Sequence, residues 1–338
     1  MSAYLAIDEK GSTSMATSQN VSHDHHYTPC FLLKKFTDHE GSLWVYDSSL
    51  GRRFKTGPLR AGFERDFYAL DSQDPPDWIE TFLAQAIDGP GADAVDGLIN
   101  GETLTVTRFR HFLCFVAAQL QRTPNALQRL SDVLAPTFQE MCLRMVRFDQ
   151  EFRENLSASL SQKGYSVDEI RAFVQSLERG EFKVGPSRDL VLIQSLKLID
   201  NLSFELSKMR WRFATLDSSD PDLILGDHPV LLEDAGPPEI PPRPLGIRNR
   251  HILIMMPFHR RKVAFGAWED EPCYCSLCPG AAAGINEITL RHAQRFAYAS
   301  FDSDQILEQA VRLRGSGPQV NVQQLKRGTT LEIRTEYK

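Results

Sequence analysis

The chain has no apolar run near the roughly 18 residues that a membrane span needs. Runs such as 252–258 have the length of a buried strand. It has no basic excess either. The formal net charge is -6, so it is not built as a general nucleic-acid binder, although a local basic groove stays open. Cysteine is sparse, six in 338 residues, which argues against a disulfide framework in a chain of this size and compartment. Gly-x-Gly-x-x-Gly, Gly-x-x-x-x-Gly-Lys-Ser/Thr, Gly-x-Ser-x-Gly and His-Glu-x-x-His are all missing. Nucleotide-cofactor folds, serine hydrolases and zincins lose most of their support. Residues 1–22 lack the basic and apolar regions of a secretory signal, and the expected location is cytoplasmic. No internal repeat is present.

The remaining composition is that of an ordinary globular chain, 42% hydrophobic and 24% charged. Residues 1–22, polar and aperiodic, read as a disordered tail. Residues 23–338 read as a single α+β domain with a helical part at about 78–210. The sheet-rich part covers about 211–338, together with a hairpin at 43–56. A short helix is expected after Pro29. Further helices are expected over 78–86, 106–121, 127–152, 187–210 and 284–295, and one from the Ser166 cap to 177. Strands are expected at 211–216, 223–225, 251–256, 262–265, 296–299 and 330–335, with a Pro-rich loop at 234–248. The architecture predicted is a helical body packed on a mostly antiparallel C-terminal sheet, with an N-terminal β-hairpin.

Five constellations hold the polar chemistry. His25-His26 starts the first patterned segment. Imidazole moves protons or binds metal near neutral pH, but backbone-bonded histidines that lock the first turn fit equally well. Glu64 and Asp66 flank Arg65 and share one face if extended, as metal-binding or acid–base carboxylates do; a surface face with local ion pairs is the plainer reading. Arg122, before Thr123-Pro124, suits an anion clamp or a helix cap. Asp227 follows Gly226 at the end of a strand, a frequent place for catalytic or metal-binding carboxylates and also for an Asx turn. Cys273, Cys275 and Cys278 look metal-like, but four-ligand zinc needs a second knuckle that is absent. Cys114 and Cys142 read as small core residues.

Taken together, these stretches resemble the domain of unknown function (DUF) 4238 family. His25-His26-Tyr27-Thr28-Pro29 through Phe31, Leu33 and Phe36 resembles its opening His-His-Tyr-x-Pro-x-Phe-x-Leu-x-x-Phe. Trp44-Val45-Tyr46-Asp47 is similar to its next strand, and Glu64 to Tyr68 to its Glu-x-Asp-Phe-Tyr block. Gln119 to Pro124 is similar to Gln-x-x-Arg-Thr-Pro, and Ile285-Asn286-Glu287 resembles the closing segment. Gly226-Asp227-His228-Pro229-Val230 stands where the family usually has Ser-Asp-Asn-Pro-Val. The resemblance covers about 25–299 and implies that the dispersed motifs belong to one domain. It implies no activity.

Two functions follow from different classes. One is a metal-assisted hydrolase acting on a phosphoester or nucleic acid. Glu64, Asp66 and Asp227 would hold Mg²⁺ or Mn²⁺, His25 or His26 would activate water, Arg122 would steady the anion, and Asn286 would line the same pocket. The other is a non-catalytic binding or interaction protein whose His, Asp and Arg motifs form a structural polar network. That second reading leaves no pocket with unpaired polar groups and makes the motif residues essential to stability. Zinc-dependent folding through the cysteine loop is a third, weaker reading. Substrates of either kind, small molecule or nucleic acid, are admitted; a membrane is not expected, and oligomeric state is undetermined.

Overall fold

A computed structural model describes residues 22–70, 77–236, 246–268, 273–317, 320–327 and 330–337, with residues 273–275 and the last two strands given by backbone alone. The expected tail, apart from Ser22, and the centre of the Pro-rich loop lie outside the described residues.

The fold is α+β, as its patterning indicates. The N-terminal part carries β1 (Asp24–His26), α1 (Cys30–Leu33), β2 (Leu43–Asp47), β3 (Arg52–Thr56) and β4 (Phe63–Arg65). The helical body follows. It comprises α2 (Trp78–Phe82), α3 (Gly89–Ile99), α4 (Val106–Gln121), α5 (Pro124–Phe148), α6 (Gln150–Gln162), α7 (Val167–Arg179) and α8 (Arg188–Leu206). Then come β5 (Arg210–Thr215), β6 (Leu225–Gly226), β7 (Leu231–Asp234), β8 (Ile252–His259), β9 (Lys262–Ala267), β10 (Cys273–Ser276), α9 (Ala281–His292) and β11 (Phe296–Ala299). The last elements are α10 (Asp304–Leu313), β12 (Val320–Arg327) and β13 (Thr330–Tyr337).

The sheet content is divided where one C-terminal sheet was expected. One sheet has the order β10-β5-β9-β8-β7, and a second has β3-β2-β11-β6. The N-terminal hairpin therefore joins β11 and β6 in a sheet of its own. β1 pairs with β4, and β12 with β13. Every pairing is antiparallel except β10 with β5.

Helix α4 is the hub of the core. Phe112, Leu113, Phe115, Val116, Ala117 and Ala118 are all buried, which leaves little of the helix wet and marks it as central. Phe112 meets Trp211 and Phe213 of β5 edge-on, with centroids 5.5 and 5.4 Å apart. The expected helix over 187–210 stops four residues early. Trp211 turns back and its indole N–H donates to the Leu206 carbonyl at 3.0 Å, closing the helix end. The expected 127–152 helix is broken at Asp149, whose side chain accepts the Phe152 N–H at 2.9 Å and starts α6 afresh.

Helix α3 was not expected; it opens on Gly89-Pro90-Gly91, residue types that more often punctuate turns. A Cβ on Gly91 would lie 2.8 Å from the Phe115 Cβ. The glycine is there so that α3 can lie directly on α4. Between α2 and α3 the chain makes a π-helical turn, Leu83–Asp88, in which the Gly89 N–H bonds the Ala84 carbonyl five residues back. Pro90 has no N–H for an α-bond to Ala86 and crowds that carbonyl. A widened turn absorbs the misfit.

Gly62 is the tightest backbone point near the first motif. Its φ is +67°, and an added Cβ would sit 2.9 Å from Thr28 Cβ and 3.1 Å from Thr28 O. Its carbonyl accepts the Thr28 N–H at 3.0 Å. Gly62→Ala is expected to cost about 2–4 kcal/mol in urea unfolding, from strain and clash together. Gly57→Ala, at an open position with ordinary φ, is expected to be nearly neutral.

Candidate functional site

The Gln119–Pro124 element is a helix break with a purpose. Thr123 precedes a proline and must be extended, and it is, at φ -75° and ψ 154°. Its hydroxyl accepts the Ala126 N–H at 3.3 Å, capping α5. The break turns Arg122 inward, where only 1% of it stays exposed. The guanidinium donates through Nη1 to both oxygens of Asp88, at 2.9 and 3.0 Å. Nε donates to the Tyr27 carbonyl at 3.2 Å. In the amide orientation that satisfies both groups, the Gln119 oxygen accepts from Nη2 at 2.6 Å and Nε at 2.8 Å. The Tyr68 hydroxyl donates to the Arg122 carbonyl at 2.9 Å. Burial raises Asp88 above the ordinary carboxylate range while Arg122 works against the rise. Glu80 lies in the same field. Burial pushes its carboxyl up to about 7, opposed by the His26 N–H and by Arg122; that N–H donates to Oε1 at 3.3 Å.

The two histidines face different ways. His25 is fully buried. Its Nδ1 accepts the Tyr68 N–H at 2.8 Å, so the proton sits on Nε2, which donates to the Ser22 carbonyl at 2.8 Å. The ring stacks on Tyr68, with centroids 5.9 Å apart. Both nitrogens are spent on backbone. His26 lies against Phe63. Its Nε2 is buried without a hydrogen-bond partner among the described residues, and burial lowers its pKa below the ordinary value.

Asp227 is held by the chain that follows α9. Its Oδ1 accepts the Gln294 N–H at 2.7 Å, and Oδ2 accepts those of Arg295 and Phe296, each at 2.8 Å. Burial pushes the carboxyl up to about 6, and these donors pull it back. Arg295 leaves the same segment to form a two-pronged pair with buried Asp47, at 3.0 and 2.9 Å. His228 is buried beside Thr123. The Thr123 hydroxyl, already capping α5, is hydrogen-bonded to His228 Nδ1 at 3.1 Å. Burial drives this imidazole down to about 3, with Arg129 and His292 adding to the effect, so it is neutral. Asn286 accepts the Ile224 N–H at 2.9 Å and donates to the Asp222 carbonyl at 3.1 Å, tying α9 to the approach of β6.

Beside this network is a pocket of about 180 Å³ lined by Tyr27, Val45, Phe54, Arg60, Ala61, Gly62, Phe63, Phe296 and Tyr298. Tyr27 belongs to both features: its carbonyl receives Arg122 and it is one of the residues lining the pocket. Tyr298 is 1% exposed. Its hydroxyl lies near that of Tyr27 and the Gly62 backbone, yet has no hydrogen bond of good geometry among the described residues. Burial first, and Asp227 next, raise the Tyr27 phenol well above its ordinary range. The structural-network expectation had no pocket with an unpaired polar group; Tyr298 provides one.

A family model described as "Protein of unknown function (DUF4238)" matches residues 24–303. The chain belongs to the DUF4238 family. No curated protein and no solved structure matches it. The family's motifs are linked in space by hydrogen bonds, but they do not point at one shared cavity. His25, Tyr68 and Arg122 form one run, Thr123 reaches His228, and Asp227 grips the segment before β11. The remaining sites diverge. Glu64 is exposed, opposite His25 in the β1–β4 register. Asp66 sits at φ 55° with its carboxylate on His23 Nδ1 at 2.7 Å, a contact that holds its pKa low. The shared face expected of Glu64 and Asp66 is thus lost where the strand ends at Arg65. Among the described residues no three His, Cys, Asp or Glu side chains gather as a metal would require. The side chains of Cys273 and Cys275 lie outside the described residues; Cys278 is exposed and unbridged. Cys114 and Cys142 are only partly buried. No helix among the described residues is long and apolar enough to cross a membrane.

Several DUF4238 residues that matter here were not singled out from the sequence. Glu80 sits inside an expected helix with no local signal. Asp88 precedes Gly89-Pro90 and reads as a helix end. Tyr27 and Tyr68 lie within the family motifs with no signal of their own polar roles, and Gln119 stands out only as part of the polar cluster around Arg122. Arg122→Met is expected to cost about 3–5 kcal/mol in urea unfolding, because Asp88 is left buried and unpaired. Adding Asp88→Leu should return part of that loss. Glu80 gives a pH test. Its folded pKa is raised above the unfolded value, so its contribution is fully present below about 4.5 and is lost as pH rises through about 7. Wild-type stability should therefore carry a decline across that window that is shallower in Glu80→Gln, where Asp227, pushed up to about 6, still contributes, read as melting temperature against pH.

Proposed function

We propose that this protein is a non-catalytic binding protein in which the His, Asp and Arg motifs form a structural polar network holding Tyr27 against a small-molecule pocket. The observation that carries this reading is how the motif groups spend their polar atoms. Asp227 gives its oxygens to three backbone N–H groups. His25 commits both nitrogens, and Arg122 is matched by Asp88, Gln119 and the Tyr27 carbonyl. A general acid, base or nucleophile needs a free lone pair or proton within reach of a substrate, and these groups are taken up by backbone or by buried side chains. His26 keeps an Nε2 with no partner among the described residues, but that nitrogen is buried against Phe63. A metal-assisted hydrolase would further need carboxylates converging on one point; Glu64 points to solvent and Asp66 to His23. The pocket supports the binding half of the proposal. It is concave, mostly apolar and supplied with a few polar groups, the usual make-up of a small-molecule site. An exposed nucleic-acid groove has no comparable support.

Asp227→Asn is the decisive variant. An amide cannot accept three N–H bonds through both of its ends, so unfolding free energy should fall by about 3 kcal/mol. Wild type, assayed with bis(p-nitrophenyl) phosphate and Mg²⁺ or Mn²⁺, should show no turnover. Metal-dependent turnover that Asp227→Asn abolishes while remaining folded would overturn the proposal.

A further inference from the structure

We infer that the pocket takes a small aromatic monocarboxylate bearing a hydrogen-bond acceptor on the ring end opposite the carboxylate. This deepens the binding reading above and rests on it. Three features of the pocket define the class.

The first is size and lining. Apolar cavities of about 150 Å³ hold a benzene ring, and this one is about 180 Å³. Val45, Phe54, Phe63 and Phe296 supply aliphatic and aromatic walls. Phe54 is 39% exposed at the rim, and Val45 is 2% exposed inside. One ring fits the volume and the walls, and its offset or edge contacts with the phenylalanines favour an aromatic over an aliphatic chain.

The second is charge at the rim. Arg60 is exposed and lines the pocket. Its guanidinium has no hydrogen-bonded or ion-paired partner among the described residues. The flanking walls carry no carboxylate, since the other lining residues are apolar, aromatic or glycine. A planar fork of this kind matches a carboxylate with two parallel bonds. The end at Tyr27 and Tyr298 is unsuited to the anion, because the Asp227 carboxylate already bears on both phenols.

The third is the deep hydroxyl. Tyr298 Oη is buried and makes no hydrogen bond of good geometry among the described residues, although the Tyr27 hydroxyl and the Gly62 backbone lie near it. A buried hydroxyl without a partner is costly, and a ligand acceptor placed against it recovers that cost on binding. The strained approach of Gly62 to Thr28 fixes one wall, and the Arg122 bond to the Tyr27 carbonyl fixes another. Two sides of the pocket are therefore fixed before a ligand arrives, which reduces the ordering cost of association.

Binding is tested by NMR titration of the full chain with 4-hydroxybenzoate, its neutral amide 4-hydroxybenzamide, and benzoate. Shifts should localise to Val45, Phe63, Phe296 and Tyr298, with 4-hydroxybenzoate the tightest of the three. Arg60→Met, at an exposed position, should weaken 4-hydroxybenzoate about tenfold or more and leave the amide unchanged. Tyr298→Phe should keep or raise the melting temperature and bring 4-hydroxybenzoate down to the level of benzoate. If all three probes leave these residues unshifted, the pocket reading itself fails. If the amide binds as well as the acid and Arg60→Met changes nothing, the pocket stands and the carboxylate class is overturned. If Tyr298→Phe leaves the ranking intact, the acceptor assignment is overturned.

Discussion

A guanidinium removed from water has five N–H donors to satisfy and a full charge to balance, and Arg122 meets both demands with groups from separate parts of the chain. Asp88 comes from the turn between α2 and α3, Gln119 from α4, and the Tyr27 carbonyl from the first motif. Its own carbonyl receives the Tyr68 hydroxyl. None of these partners can be displaced alone without leaving a buried charge or donor bare, which is far costlier than the net value of any one bond. The interaction is therefore better understood as a constraint on packing than as a source of stability. It admits one arrangement of the N-terminal segment on the helical body and penalises the others.

From that constraint the pocket follows. Tyr27 is clamped through its carbonyl, so its ring has little freedom. Gly62 brings β4 against the same segment, and Asp227 fixes the start of β11 from the opposite side. β2 stands between, paired to β11 and anchored at its end by the Asp47–Arg295 pair. The polar motifs thus surround the pocket from behind without entering it. Tyr298 belongs to this scaffold and still carries an unsatisfied hydroxyl, as His26 Nε2 and Thr28 Oγ1 of the first motif are also unsatisfied among the described residues.

The sequence disclosed these elements unevenly, for physical reasons. Long helices such as α4 and α8 were legible because burial imposes a 3.6-residue apolar period. The Ser166 cap of α7 was legible because a capping box is a local chemical device, and both of its bonds are present. Helix α3 was hidden because Gly91 serves close packing on Phe115 instead of a turn. The division into separate sheets was hidden because strand partners are set by contacts distant in the chain. At the site, Arg122, His25, Asp227 and Asn286 were legible as unusual polar residues in apolar surroundings. Their roles were not, since a side chain that bonds a backbone group leaves no trace in the partner's residue type. Glu64 and Asp66 misled because the two-residue alternation of a strand was extended one residue past its end, where Asp66 turns to a positive φ.

The π-helical turn at Leu83–Asp88 bears on how this fold tolerates length change. Such a turn is an α-helix carrying one residue too many. Removing a single residue from it would let the helix close into regular α-form, and everything on one side would rotate by about 100° relative to the other. Asp88 would swing off Arg122 while the helix itself improved. A shortening that repairs local geometry would thereby break the long-range match, so the irregular turn works as a counted spacer whose length is set by the arginine it serves.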